Sequence, residues 1–130
     1  MILLDTHMWF WWAGASPRLT AKHRLVIEAN VAAGLGLSII SCWEVAKKNQ
    51  LGKLELDRPL GAWMEAALAL RGVILLPLSR EIVLDAAALP GGFRSDPADE
   101  LILATARVLG IPLLTADQKL RDYPNVKILP

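Results

Sequence analysis

Apolar positions in this chain fall into two patterns. Nearly unbroken short runs occur at 1–4, 35–40, 73–78 and 111–114. Strands covered on both faces look like this, because neither side has to meet water. Between them lie longer stretches in which apolar residues recur at helical spacing. In 59–70, for example, Leu60, Trp63, Met64, Ala67 and Leu68 fall largely on one side.

Helix punctuation sharpens the boundaries. Ser16-Pro17 supplies an N-cap and first-position pair for a helix over 17–33, which Gly34 and Gly36 stop. Ser41 and Glu44 have capping-box spacing and predict a helix over 41–51. Ser79 caps a helix over 81–89, and Asp96-Pro97 opens one over 97–109 that ends at Gly110. Residues 6–13 form a strongly aromatic short helix or turn, 118–122 another short helix, and 126–129 a last strand. The segment 53–58 is a polar connection, and 90–95 is the most loop-like stretch. Strands alternating with helices predict one α/β domain over 1–130. Its sheet is central, mainly parallel, of four to five strands, and flanked by helices.

Composition changes this picture in three places. The chain is 54% hydrophobic, high for a single domain of 130 residues. That predicts apolar surface buried against a partner, and we expect a homodimer using the 60–80 region or the first helices. No run reaches the ~18 apolar residues of a spanning helix, and no basic region precedes an apolar core at the N-terminus. A lone Cys42 precludes an internal disulfide and fits a reducing, cytoplasmic setting. The net charge of +1 does not advertise a nucleic-acid partner, so phosphate contacts must come from local lysines and arginines.

The chemistry resides in the acids. Asp5 ends the first strand, and Asp117 follows the strand at 111–114. Glu44 and Asp99 sit in first turns of helices that start on the same side. Ligands of an open α/β sheet collect outside the carboxyl ends of its strands, so positions 5, 44, 99 and 117 converge on one rim. Two unit charges ~4 Å apart repel by roughly 4 kcal/mol at an effective dielectric of ~20. Protonation or a bound divalent cation relieves that repulsion. Hard oxygen donors without a Cys or His set suit Mg²⁺ or Mn²⁺ rather than Zn²⁺. A metal held in this way serves phosphoryl chemistry, as in a phosphohydrolase or a nuclease. No GxSxG elbow or Walker loop offers a covalent or nucleotide-binding alternative.

The same residues resemble a family. Leu3-Leu4-Asp5-Thr6-His7, Ser38-Ile39-Ile40-Ser41-Cys42-Trp43-Glu44-Val45, Asp96-Pro97-Ala98-Asp99, Leu103-Ala104-Thr105-Ala106 and Leu114-Thr115-Ala116-Asp117 together resemble the PIN domain. They look most like the VapC-type toxin ribonucleases within it, over essentially the whole chain. The resemblance implies a Mg²⁺- or Mn²⁺-dependent endoribonuclease neutralised by a cognate antitoxin. It makes Asp5, Glu44, Asp99 and Asp117 the catalytic acids, with Asp5, Asp99 and Asp117 on the metal. Thr6, Ser41 and Thr115 match supporting hydroxyls, and Asp96 an additional acid. Two positions depart from the pattern: Arg94 stands where the family often has His, and Glu100 where it often has Arg.

Other assignments compete. Glu44 and Asp99 serve equally as capping residues, and Asp117 as a turn residue. Trp43 reads as core, as does the run Trp9 to Trp12, with an antitoxin groove or base stacking as its alternatives. Lys47, Lys48, Arg94 and Lys119 are candidate RNA contacts. A phosphatase using Asp5 as nucleophile is a second enzyme class, although such chemistry usually has an Asp two residues on and position 7 is His. A PIN-like module that binds without catalysis is a third possibility.

Overall fold

The computed structural model describes residues 1–130 as a four-stranded sheet between two layers of helices. Strands β1 (Ile2–Leu4), β2 (Leu35–Ser38), β3 (Val73–Leu76) and β4 (Leu113–Leu114) lie in the order β3-β2-β1-β4, all parallel. The helices are α1 (Thr6–Ala13), α2 (Ala21–Asn30), α3 (Ile39–Gln50), α4 (Leu60–Leu68), α5 (Arg80–Ala87), α6 (Pro97–Leu109) and α7 (Gln118–Arg121).

Alternation along β1 divides the core. Ile2 and Leu4 point into one apolar layer with Trp9, Ile27, Val45 and Trp63, while Leu3 points into the other with Ile82, Ile102 and Leu103. Leu113 and Leu114 separate in the same way. Burial on both faces explains why β1, β2 and β4 read as unbroken apolar runs, whereas β3, at the edge, keeps its run with Ile74 and Leu75 exposed. The indole N–H of Trp9 donates to the carbonyl of Ala67 at 3.1 Å, joining α1 to α4 and satisfying a polar group inside the layer.

Gly110, at φ 65°, takes the left-handed conformation that ends α6, and the N–H of Ile111 reaches the carbonyl of Ala106 at 3.1 Å. Gly36 answers a different demand. An added Cβ there would lie 2.9 Å from Leu76 Cδ1 and 3.2 Å from the carbonyl oxygen of Ile2, so a side chain on this interior strand would force its neighbours to shift.

Several boundaries differ from expectation, β3 ending at Leu76 and α5 at Ala87 among them. The helix expected over 17–33 begins at Ala21, capped by Thr20, whose hydroxyl accepts from the N–H of His23. Ser16-Pro17 instead opens a single turn, in which Ser16 accepts from the N–H of Arg18 at 3.2 Å. Helix α3 begins at Ile39, capped by Ser38, which shortens β2 and places Ser41 inside the helix. The strand expected over 126–129 is a single parallel bridge between Ile128 and Leu113.

Candidate functional site

The order β3-β2-β1-β4 places the topological switch between β1 and β4, where successive connections leave in opposite directions. Asp5 stands at that crevice. It caps α1 by accepting from the N–H of Met8 at 2.9 Å, and Thr115, just past β4, donates its hydroxyl to the other carboxylate oxygen. Thr115 also accepts from the N–H of Asp117 at 3.1 Å, holding the turn that presents Asp117.

Two helices supply the remaining acids. Glu44 projects from the second turn of α3 and accepts a short hydrogen bond from Thr6, the first residue of α1. The Thr6 hydroxyl also shares a hydrogen bond with Ser41 at 2.9 Å, so the two supporting hydroxyls form one buried unit. Asp99 lies in the first turn of α6, capped by Asp96, which accepts from the N–H of Asp99 at 2.9 Å. The hydroxyl of Ser95 donates to Asp99 at 2.6 Å.

Asp5, Glu44, Asp99 and Asp117 line a single cavity of about 80 Å³, joined by Asp96, Thr6, His7 and Lys48. Positions separated by as many as 112 residues therefore share one wall at the carboxyl end of the sheet. The two strand-end acids and the two helix acids are brought together as their spacing predicts. They do not converge on a point as they stand, and no three side chains form a ready metal clasp. Neighbouring hydroxyls and lysines hold several of their oxygens instead. Lys48 lies 3.4 Å from Glu44, and Lys119 4.0 Å from Asp99.

Burial pushes the Asp5 carboxyl up to about 6, against the pull of its hydrogen bonds from Thr115 and Met8, with Asp117 and Asp99 adding to the rise. Asp99 is also raised, first by burial and then by Asp96, Asp117 and Glu44, while Ser95 opposes the shift. Asp5 is thus a buried carboxylate with no ion pair, and Asp99 a half-buried one with Lys119 at its edge. Their donor set, oxygen without thiolate, fits a hard divalent cation.

Several sequence assignments need correction. Glu44 is not a capping-box partner of Ser41, because Ser38 caps α3 and both residues are interior to the helix. Arg94 does not reach the acidic cavity. It lines a separate cavity with Ser95 and Glu100, and Glu100 is occupied there by accepting from the N–H of Ser95 at 3.1 Å. The two departures from the family pattern thus share a neighbouring site. Lys47 faces a second groove beside the acids. Trp43 is not core: it is 57% exposed. His7 lies on the acidic wall as well, with its ring 5.5 Å from that of Trp11. Only its place directly after Asp5-Thr6 pointed there.

Of the aromatic run, Trp9 is fully buried, and Phe10, Trp11 and Trp12 pack partly against the core. Phe10 and Trp63 also border a groove of about 560 Å³ with Ala13, Leu56 and Leu70.

Comparison with known proteins agrees with this geometry. The family model of the PIN domain matches residues 2–126. Ribonuclease VapC22 of Mycobacterium tuberculosis is 35% identical over 123 residues, covering 94% of this chain and 91% of the relative. Among solved structures, the VapBC2 complex of Rickettsia felis bound to a DNA fragment from its promoter superposes with TM-score 0.73 at 17% identity, covering 99% of this chain and 98% of that one. A toxin–antitoxin complex from Klebsiella pneumoniae does so with TM-score 0.68 at 18% identity, covering 100% and 97%.

Proposed function

The chain belongs to the PIN-domain family, and from that premise we propose that it is a divalent-metal-dependent endoribonuclease, a VapC-like toxin restrained by a cognate antitoxin. The observation that carries this reading is the shared cavity of Asp5, Glu44, Asp99 and Asp117 at the carboxyl end of the sheet.

Asp5, Asp99 and Asp117 are the proposed holders of Mg²⁺ or Mn²⁺. When bound, such an ion supplies a water activated near neutral pH and neutralises charge on the phosphodiester. Thr115 orients Asp5 and the turn of Asp117. Thr6 and Ser41 orient Glu44, which faces the cavity beside the metal-binding acids and positions the attacking water. Asp96 holds the first turn of α6 and so the direction of Asp99. Lys48 and Lys119, each already beside an acid, are placed to exchange that partner for an RNA phosphate. Lys47 meets the RNA in the adjoining groove. Arg94, in its separate cavity, is left for RNA beyond the cleaved bond.

The antitoxin fits the groove between Phe10 and Trp63, where an amphipathic segment would cover the half-buried Phe10, Ala13, Leu56 and Leu70. No helix is long and apolar enough to cross a membrane.

Labelled RNA incubated with purified protein, with Mn²⁺ and then with EDTA, tests the reaction. Cleavage that EDTA stops and Asp99→Asn abolishes without loss of folding is the expected result. Phosphate release from a small ester would assign the site to a phosphatase. RNA binding with no cleavage under any metal would leave a non-catalytic module.

A further inference from the structure

We propose that the groove beside the acidic cavity grips single-stranded RNA by stacking one unpaired base on Trp43, with Lys47 and Lys53 meeting the adjoining phosphates. The proposal rests on the ribonuclease reading and specifies how that site holds its substrate.

Trp43 differs from the other tryptophans. Trp9 and Trp63 are buried, and Trp11 and Trp12 pack against the core, whereas Trp43 is 57% exposed on α3. It precedes Glu44, so the helix that presents the acid also presents the indole. Lys47 lies four residues on, on the same face of the helix. Trp43, Lys47, Leu51, Lys53 and Pro97 line a groove of about 270 Å³ that also includes Glu44, Lys48 and Asp96. Those last three line the acidic cavity too, so groove and cavity adjoin along one wall.

Charge and shape select the occupant. Lys47, Lys48 and Lys53 line the groove with the indole, against two acids, Glu44 and Asp96. Glu44 is already paired with Lys48 at 3.4 Å, and Lys53 makes no ion pair. A π-face flanked by cations and leading into a phosphodiester-cleaving cavity matches the way single strands are held, by stacking and backbone attraction. A duplex hides its base faces, so the base on Trp43 must be unpaired, as in a loop or bulge.

The test uses the full-length chain carrying Asp99→Asn, so that RNA is bound without being cut. The probe is a short, mixed-sequence, single-stranded oligoribonucleotide with a fluorescent end label, read by anisotropy. Trp43→Ala should weaken binding about tenfold, and Trp43→Phe should recover most of the loss. A duplex of the same sequence should bind the two variants alike. Lys53→Gln should lower the dependence of log affinity on log salt by roughly one. Circular dichroism and thermal melting matching the parent show that the exposed position tolerates the change.

Unchanged single-strand affinity in Trp43→Ala would overturn the proposal. So would a loss confined to binding of the partner protein, which would make the groove a protein contact. The two readings fail separately. Absence of cleavage by the otherwise unmodified chain removes the ribonuclease reading and this one with it. Cleavage with the same KM in the unmodified chain and in Trp43→Ala removes only the stacking platform.

Discussion

Thr115 donates its hydroxyl to Asp5 across the mouth of the crevice between β4 and β1, a contact between residues 110 positions apart. Both side chains are buried. The bond aims Asp5 and stabilises its charged form, in opposition to the burial that raises its pKa to about 6. Thr115→Val keeps the shape and removes the donor. Leaving a buried carboxylate short of a partner costs about 1–3 kcal/mol. We expect a lower Tm, a further rise in the Asp5 pKa, and a pH–activity profile whose acid limb moves upward. Thr115→Ser should restore all three, as followed by thermal melting and initial cleavage rates across pH.

Asp5 should make the metal-free protein weaker at neutral than at acid pH. Its folded pKa, about 6, lies above the ordinary 3.8, so the folded state binds the proton more tightly. The stabilisation is complete below 3.8 and is lost as pH rises through about 6. The shift corresponds to about 3 kcal/mol as an order of magnitude. Asp5→Asn should abolish cleavage yet raise metal-free stability at pH 7, because the amide still caps α1 and carries no charge. Urea melts of both proteins in EDTA at acid and neutral pH check this. A parallel decline in the two proteins would contradict it.

Thr6 fixes Glu44 through a single hydroxyl shared with Ser41. Thr6→Val should leave the fold intact and lower cleavage by about ten- to a hundredfold, the usual cost of losing the partner that orients a metal-site group. Glu44→Gln in the Thr6→Val background should cost less than in the parent, since the two residues act as one unit. Cleavage rates for the four proteins complete the cycle.

Gly36 is enclosed by Leu76 and the backbone of Ile2. Gly36→Ala should destabilise the protein by about 1–3 kcal/mol through overpacking. Its effect on the acidic cavity should be indirect, so activity per folded molecule should remain near that of the parent. Denaturant midpoints and active-fraction measurements separate the two effects.

Ile74 and Leu75, each 43% exposed, lie on the edge strand β3 inside the 60–80 region expected to face a second copy. An open apolar edge invites pairing. Light scattering should give a dimer, and Leu75→Lys should shift it toward monomer. A monodisperse monomer at high concentration would count against this use of the edge.

The chain punctuates its own helices clearly where the signal is local. Asp96-Pro97 and Gly110 delimit α6 in the sequence as in the structure, because capping and left-handed termination involve only neighbouring residues. The start of α3 was less legible. Ser38 and Ser41 are both competent caps, and the choice fell to Ser38 because β2 ends at the sheet boundary there. Trp43 departs from its local pattern for a related reason. Local pattern says that it is apolar, but which face of α3 meets the core depends on where the sheet and α6 stand. The last strand reduced to one bridge because only Leu113 offered it a partner.

By itself, the sequence determined the class of fold, through unbroken strand runs between helical stretches, and the chemical character of the site, through carboxylates at strand ends and near helix starts. Only the tertiary structure decided that Thr115 serves Asp5, that Thr6 and Ser41 serve Glu44, that Arg94 and Glu100 belong to a different cavity, and that Trp43 stands in solvent. The division has a physical cause. Residue type and local spacing are written along the chain, while a hydrogen bond between positions 5 and 115, or the exposure of one helix face, exists only once the sheet order has brought distant segments side by side.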